Sequence, residues 1–235
     1  LIRSSTAESL IKIMQEIALI FVMDGSIVDS MPTHVHSWIQ ALGEYGHHAT
    51  ADELHRNNWG NVYDVVRSIM GAELEQEQVR RIAERKEIIF REKFKPEMRL
   101  IPGLNSFLTD TEHHGIPTAL ATNAGWDNIN FVLDGLSIRK YFQTIVSGVD
   151  VQNAKPHPEM FILAASRLNT PESNCIVFED SANGVEAADA AGMQVILVKT
   201  FSRAQPYDDH PSIIWKIQDF REIGVDELVS YVKES

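Results

Sequence analysis

The pattern of apolar and polar positions opens with one uninterrupted apolar run. Residues 17–23 are all apolar and are followed by Asp24-Gly25, a pair that breaks regular structure. Such a run predicts a strand buried on both faces, which is typical of a parallel sheet. Because alternate residues of a strand point the same way, we expect Val22 and Asp24 to share one face and to point into the crevice beyond the strand.

The next segment, residues 31–98, carries helical periodicity and no strand pattern. Helices are predicted from His34 to Tyr45, from Ala51 to Asn57, from Val62 to Met70 and from Glu75 to Phe94, with a loop at residues 57–61. The sequence therefore predicts an all-helical insert between the first strand and the rest of the sheet.

Beyond Pro102-Gly103, helices and short apolar strands alternate along the chain. Strands are predicted at 116–121, 144–147, 175–178, 195–198 and 213–217, and helices at 104–114, 126–136, 157–168, 183–191 and 225–233. Repeated strand–helix units with near-continuous apolar strands indicate a doubly wound parallel sheet. The predicted fold is α/β, with a core domain formed by residues 1–30 and 99–235 and a helical domain formed by the insert, residues 31–98.

The composition of the chain limits the kinds of molecule that we expect the protein to bind. The formal net charge of −12 argues against nucleic acid and anionic membrane surfaces, although a local cation can still bind a small phosphorylated molecule. No apolar segment approaches the length of a membrane span. The single cysteine, Cys175, falls in a predicted buried strand, which fits a reducing compartment. We expect a cytoplasmic monomer in which residues 1–16 form a short amphipathic helix or the remnant of a longer N-terminus.

Acidic side chains follow two of the predicted strands. Asp24 follows the first strand, and Glu179-Asp180 follow the strand at 175–178. Two adjacent acids at the end of a buried strand are costly to desolvate without a cation, and Mg²⁺ prefers such oxygen ligands. The alternative explanations are a turn at Asp24-Gly25 and capping of the next helix by Asp180.

Two further motifs can hold a phosphate. Thr122-Asn123-Ala124 follows the strand at 116–121, where a hydroxyl and backbone amides can cradle an anion, although on its own the motif is better explained as helix capping. Lys155, in Ala154-Lys155-Pro156-His157-Pro158, lies at a predicted strand-to-helix junction and can neutralise phosphate charge. The alternative for Lys155 is a solvated surface lysine.

In this order the four motifs resemble those of the haloacid dehalogenase-like (HAD) hydrolases, in particular the β-phosphoglucomutase-like phosphatases and phosphomutases. The resemblance implies a Rossmann-like core with a cap domain, a Mg²⁺ cofactor and a small phosphorylated metabolite as partner. It assigns Asp24 as general acid–base, Thr122 and Asn123 as phosphate ligands, Lys155 as a phosphate ligand and catalytic residue, and Asp180, Glu179 and the carbonyl of Asp24 as metal ligands.

The helical insert resembles the cap that closes over the substrate in this family. His34 occupies the place of a histidine that reaches the active site from the cap hinge, and Arg85-Lys86 resemble a pair that contacts substrate. A structural histidine and a solvated helix face are the alternatives. Relatives that act as sugar phosphomutases carry an arginine soon after the glycine that corresponds to Gly60. Here the next arginine is Arg67, which weakens the mutase interpretation.

Val22 departs from the family motif, in which this position is the aspartate nucleophile. A branched hydrocarbon cannot attack phosphorus or bind a cation. Three interpretations stay open. The protein is a Mg²⁺-dependent phosphohydrolase of small, sugar-like phosphate monoesters that lacks the expected nucleophile, a non-catalytic phosphate-binding protein, or an engineered variant of an active phosphatase or β-phosphoglucomutase.

Overall fold

The computed structural model describes residues 17–57, 61–200 and 207–234. Within these residues one six-stranded sheet forms, with all its strands parallel and in the order β3-β2-β1-β4-β5-β6. The strands are β1 (Ala18–Phe21), β2 (Thr118–Thr122), β3 (Thr144–Ser147), β4 (Cys175–Glu179), β5 (Gln194–Val198) and β6 (Ile213–Ile217). The predicted helix at residues 1–16 and the centre of the predicted loop at 57–61 lie outside the described residues.

Helices surround the sheet and form the insert. They are α1 (Met31–Glu44), α2 (Ala51–Asn57), α3 (Val62–Met70), α4 (Gln76–Phe94), α5 (Leu104–His113), α6 (Trp126–Gly135), α7 (Glu159–Leu168), α8 (Ala182–Ala190) and α9 (Val225–Glu234). Strand β2 and helix α7 each begin two residues later than predicted. Strand β2 begins after Pro117, which has no N–H to donate to a neighbouring strand, and helix α7 begins after its N-cap residue, Pro158.

The strand order places a ligand crevice at a defined point of the sheet. From β1 the chain adds β2 and β3 on one side, then crosses back to add β4, β5 and β6 on the other. Ligands of such sheets bind beyond the carboxyl ends of the strands where the order reverses, here between β1 and β4. Phe21 at the end of β1 is in register with Leu120 of β2 and Phe178 of β4, so the segments that follow these strands emerge side by side.

Alternate residues of β1 pack into different apolar layers. On one face, Phe21 stacks on Phe178 with ring centroids 4.7 Å apart, within a cluster that includes residues of α5, α6 and α9. On the other face, Ala18 and Ile20 pack with small side chains of β2 and with α7 and α8. Cys175 of β4 is buried in this second layer. The first strand is therefore covered on both sides, as its uninterrupted apolar sequence predicts.

The described residues between β1 and α5 form the helices α1 to α4, joined by turns and short loops, and these helices have an apolar core of their own. Trp38 and Leu42 of α1 pack with Val66 of α3 and with Val79 and Ile82 of α4. The predicted fold class, a doubly wound parallel sheet with an inserted helical cap, is confirmed. The domain boundaries at residues 30/31 and 98/99 stay a prediction. None of the helices in the described ranges has both the length and the apolar character needed to cross a bilayer.

Candidate active site

The carboxyl ends of β1, β2 and β4 open onto a cleft of about 830 Å³ that residues of the sheet edge and of the helical insert line together. Eight residues for which the sequence predicts a site role contribute to this lining: Asp24, His34, Lys86, Thr122, Asn123, Lys155, Glu179 and Asp180. Arg85, the other member of the predicted cap pair, is not among the lining residues. Val22 lines the same cleft. The structure thus brings the four motifs and the two cap residues together, while the roles assigned to them stay predictions.

Asp24 lies just beyond β1 and is held by two side chains. Ser30 Oγ donates a hydrogen bond to Asp24 Oδ1 at 2.5 Å, and His34 Nε2 lies 3.1 Å from the same oxygen. Burial alone would raise the pKa of Asp24, but His34, Ser30 and the charge of Lys86 favour the ionised form and hold the pKa below its usual value. Asp24 is therefore ionised at neutral pH, and it must gain a proton before it can act as a general acid.

Lys86 of helix α4 fixes the orientation of His34. Lys86 Nζ lies 2.8 Å from His34 Nδ1. Because an ammonium group can only donate hydrogen bonds, Nδ1 acts as the acceptor, and Nε2 is left to donate to Asp24. A line of polar contacts therefore runs from the core carboxylate to the helical insert.

Arg85 and Lys86, the pair predicted to contact substrate from the cap, have different environments. Lys86 is only 4% exposed, and its Nζ lies 5.2 Å from the ring centroid of Trp38. The alternative of a solvated helix face is therefore wrong for Lys86. Arg85, in contrast, does lie on a solvated helix face. It pairs there with Glu44, with 2.7 Å between Nε and Oε2.

Lys155 and Glu179 form a buried ion pair, with Nζ 2.9 Å from Oε2. The other carboxylate oxygen of Glu179 accepts hydrogen bonds from the backbone N–H groups of Asp180 and Ser181 and from the Ser181 hydroxyl. Burial would raise the pKa of Glu179, but Lys155 and the backbone N–H of Asp180 hold it below its usual value. The alternative of a solvated lysine is wrong for Lys155, which is only 6% exposed.

Among the carboxyl groups of Asp24, Glu179 and Asp180, that of Asp180 is the least stabilised by neighbouring basic or donor groups. Burial, the neighbouring carboxylate of Glu179 and the charge of Asp24 raise the pKa of Asp180 well above its usual value, against the opposing effect of Lys155. Its side chain lies against Gly25, where a Cβ atom would come within 1.8 Å of Oδ2. Asp180 is not the cap of the following helix, because the side chain of Ser181 caps α8 by accepting from the N–H of Gly184.

The residues around Asp180 and Glu179 fit a Mg²⁺ ion only if it binds weakly and keeps most of its water ligands. Asp180 offers a carboxylate whose raised pKa reflects unbalanced negative charge, and Glu179 is already engaged by Lys155 and Ser181. Across the described ranges, no group of three or more acidic, histidine or cysteine side chains is arranged to hold a metal. Mg²⁺ commonly binds through one or two carboxylates and keeps several waters, so Asp180 and the carbonyl of Asp24 stay the predicted ligands.

The turn after β2 is shaped by close backbone packing. Thr122 Oγ1 accepts a hydrogen bond from the N–H of Ala124 at 3.2 Å, which leaves the Thr122 hydroxyl proton available to a ligand. A Cβ atom on Gly148 would lie 2.4 Å from the carbonyl oxygen of Asn123, so the loop after β3 presses directly on this turn. The buried Oδ1 of Asn123 has no hydrogen-bond partner among the residues that the structure describes. The helix that follows begins after Gly125, so Thr122 and Asn123 are not its caps.

Val22 continues the apolar layer of β1 to the edge of the cleft. It is 4% exposed and belongs to the same cluster as Ala18, Ile20 and Ala121. Its N–H donates to the carbonyl of Phe178 at 3.2 Å, so the backbone at this position is held by β4. The position beside Asp24 is therefore well packed and carries no nucleophilic group.

Sequence reasoning missed a polar clamp between the insert and the core. The side-chain amide of Asn128, in the first turn of α6, donates to Glu87 Oε2 at 2.6 Å and accepts from Arg91 Nη1 at 2.8 Å. Glu87 Oε1 also accepts from Lys86 Nζ at 2.9 Å. The clamp therefore extends the contacts of Asp24 and Lys86 to the far side of the cleft. The only sequence signal is the i, i+4 spacing of Glu87 and Arg91 on one helix, which many surface pairs share.

The parallel sheet, the helical insert and the polar and acidic residues at the ends of β1, β2 and β4 together define a HAD-type α/β fold. The chain belongs to the haloacid dehalogenase-like hydrolase family, whose sequence model matches residues 19–198. The predicted resemblance to this family, including its β-phosphoglucomutase-like phosphatases, is confirmed.

Similar proteins include phosphatases of bacteria. The chain is 34% identical over 184 residues to the phosphorylated carbohydrates phosphatase of Thermotoga maritima, an alignment that covers 76% of this chain and 83% of the relative. It is 29% identical over 181 residues to the fructose-1-phosphate phosphatase YqaB of Escherichia coli, covering 77% and 95%. The β-phosphoglucomutase structure from Clostridium difficile superposes with a TM-score of 0.78 at 24% identity, covering 92% and 95%, and so shares the fold.

The contact between Gly25 and Asp180 predicts that Gly25→Ala is more destabilising than an alanine at a comparable glycine. Gly25 has φ +81°, and Gly115, with φ +66° and open space around the Cβ position, is the matched control. We expect Gly115→Ala to cost about 1 kcal/mol from backbone strain, and Gly25→Ala to cost a further ~1–3 kcal/mol because Asp180 must move. Urea unfolding of the two variants measures the difference, and equal losses would show that Asp180 does not constrain this turn.

The clamp predicts a pH-dependent contribution of Glu87 to stability. Burial would raise the pKa of Glu87, but Lys86, His34 and Asn128 hold it below its usual value. Because the folded-state pKa is lowered, the stabilisation is present above the ordinary glutamate pKa and is lost as the pH falls through the acid range. Glu87→Gln should therefore lower the free energy of unfolding by about 1 kcal/mol near neutral pH, and by less as the pH falls.

Glu84→Gln is the control for this measurement. Glu84 pairs with Arg80 on the same helix, and both side chains are about half exposed, so its loss should change stability by no more than ~0.5 kcal/mol. Urea unfolding at several pH values compares the two variants. A loss in Glu87→Gln that is independent of pH would contradict the prediction.

Proposed function

We propose that this protein binds a small phosphate monoester in the cleft and holds it without hydrolysing it. The proposal is carried by one observation: Val22, buried in the apolar layer of β1, stands where the family has its nucleophile, while the remaining motif residues line the same cleft. Phosphoryl transfer in the family requires a carboxylate oxygen in line with the scissile bond. A binding protein needs only the groups that recognise the phosphate.

The phosphate would lie between Lys155 and the turn after β2. Lys155 supplies positive charge that Glu179 holds in place, and Thr122 supplies a hydroxyl donor. The side-chain amide of Asn123 is the third candidate contact, since its Oδ1 is buried without a partner among the described residues. The names of the two phosphatase relatives support a carbohydrate-sized alcohol on the ester, as the sequence predicts.

Asp24 does not replace the missing nucleophile. Its Oδ1 is engaged by Ser30 and His34, and it lies two residues further along the chain than Val22. An attack from Asp24 would require the ester to shift away from Lys155 and Thr122. In the binding role, the Asp24 carboxylate holds the hinge histidine in its contact with Lys86.

Mg²⁺ fits this function as an accessory ion. Asp180 and the carbonyl of Asp24 would hold it, with Glu179 acting through water. When bound, the ion would offset the negative charge shared by the acids and the phosphate. The predicted cytoplasmic location, the monomeric state and the absence of nucleic-acid and membrane partners stay predictions.

A second candidate is a phosphatase that has lost its hydrolytic activity through the single substitution at position 22. The intact geometry around Val22 favours this candidate. Asp24, Lys155, Glu179 and Asp180 keep partners and positions that suit a phosphatase. Both interpretations hold that the unsubstituted chain binds the ester without turnover, and the second adds that a carboxylate restored at position 22 brings turnover back.

The deciding experiment compares the chain with Val22→Asp and Val22→Asn. All three are assayed with Mg²⁺ against sugar phosphates and an aryl phosphate, and calorimetry measures ester binding by the unsubstituted chain. We expect binding without turnover by the unsubstituted chain and by Val22→Asn, and a rate gain of at least about 10⁴-fold in Val22→Asp. Turnover by the unsubstituted chain that equals that of Val22→Asp would contradict the proposal, because another residue would then attack.

The proposed ion site predicts Mg²⁺ binding that depends on Asp180. Titration calorimetry should show weak binding by the unsubstituted chain, and Asp180→Ala should abolish it because it removes the least engaged carboxylate. Asp189→Ala is the control, since Asp189 is exposed near the end of α8 and its loss changes the net charge equally. Equal affinities in the three proteins would place the ion elsewhere.

A further inference from the structure

We infer that the ester carries a flat aromatic ring on a sugar-sized alcohol, as in a nucleoside monophosphate, and that an apolar rim of the cleft holds this ring. The apolar rim consists of Tyr63 of α3, Ile88 of α4, Trp126 at the start of α6, and Val149 in the loop after β3. This inference rests on the proposed function and narrows its ligand class.

The distribution of exposed apolar side chains points to this rim. Of the six large apolar side chains that are exposed in the described part of the chain, four line the cleft: Tyr63 (41%), Ile88 (41%), Trp126 (39%) and Val149 (69%). Two come from the helical insert and two from the core. Exposed apolar surface that is concentrated at one concave site, and not scattered, is typical of a ligand site.

The cations that the insert contributes to the cleft already have partners. Lys86 is buried against His34 and Glu87, and Arg91 binds the side chain of Asn128. A second phosphate or a carboxylate on the ligand would thus compete with existing ion pairs and would face Glu84 and Glu87. Within the described lining, the alcohol part of the ester is best matched by an uncharged group.

The polar side chains that line the cleft near the apolar rim also have hydrogen-bond or ion-pair partners within the protein. The side chain of Asn61 caps α3 by accepting from the N–H groups of Tyr63 and Asp64. Glu84 pairs with Arg80, and Asn128 is held by the clamp. A ligand that presents only hydroxyl groups here would find few unengaged partners in the described lining. An aromatic ring needs none, because it binds by stacking on side chains such as Trp126 and Tyr63.

The position of Trp126 sets the distance between ring and phosphate. It follows Asn123 by three residues and begins helix α6, so the rim starts directly beside the proposed phosphate turn. The cleft volume of about 830 Å³ is within the range of pockets that enclose drug-sized ligands. A nucleoside monophosphate joins a phosphate, a sugar and a flat ring at this scale.

The test measures how much the ring adds to affinity in the full chain. Titration calorimetry compares a nucleoside 5′-monophosphate, ribose 5-phosphate and inorganic phosphate as probes. We expect the nucleotide to bind at least about tenfold more tightly than ribose 5-phosphate, since stacking on one aromatic side chain is worth roughly that factor or more. Equal affinity for nucleotide and ribose 5-phosphate would overturn the inference.

Substitutions of Trp126 test whether this side chain provides the gain in affinity for the nucleotide. Trp126→Ala should lose at least about tenfold in affinity for the nucleotide with little change for inorganic phosphate, and Trp126→Phe should retain most of the gain because it keeps a ring. Tyr45→Ala is the control, as Tyr45 is equally exposed but does not line the cleft. Thermal unfolding checks that each variant is folded. An unchanged nucleotide affinity in folded Trp126→Ala would also overturn the inference.

The same titrations separate this inference from the proposed function. Binding of inorganic phosphate that is weakened in Thr122→Val, which removes the hydroxyl and leaves the buried Lys155–Glu179 pair in place, supports the phosphate site whatever the ring contributes. If phosphate binds and the ring adds nothing, only the ligand class is wrong. If neither phosphate nor any ester binds, both the proposed function and the inference fail.

Discussion

The buried ion pair between Lys155 and Glu179 is the interaction on which the cleft depends. Either charge alone would be costly to bury, so removal of one partner is expected to destabilise the fold strongly. Glu179 is also held by the N–H groups that begin the next helix, and Lys155 Nζ lies 3.5 Å from the carbonyl oxygen of Ala121. One cation therefore links the ends of β2 and β4 and is fixed in place before any ligand arrives.

The acids of the cleft have environments that separate their roles. Asp24 and Glu179 are each neutralised by basic or donor side chains of the protein, and their pKa values are lowered. Asp180 lacks such a partner of its own, and its pKa is raised. The difference follows from the sheet, because β1 and β4 end side by side and crowd three carboxyl groups that two cationic partners serve. Under the proposed function, this difference makes Asp180 the carboxylate that an added cation would neutralise.

Local sequence patterns predict the strands and the residues that follow them, because an apolar run and its polar break lie next to each other in the chain. The strands at 144–147 and 213–217 have the bounds that the sequence predicts. Contacts between distant elements leave no comparable signal. Glu87 and Asn128 meet only because the insert folds back over the sheet, and the surroundings of Lys86 in sequence are those of an ordinary charged helix. Burial of a charged residue is decided by tertiary packing, which single-sequence periodicity does not record.

The packing of Val22 also has an evolutionary consequence. Valine and aspartate are nearly equal in volume, and two of the four valine codons become aspartate codons by a change of the middle base. The branched side chain packs into the apolar layer that includes Ala18, Ile20 and Ala121. Under the proposed function, a single point mutation separates a protein that senses or stores a phosphate ester from one that consumes it. A lineage can then exchange catalyst and receptor without rebuilding the fold that recognises the ligand.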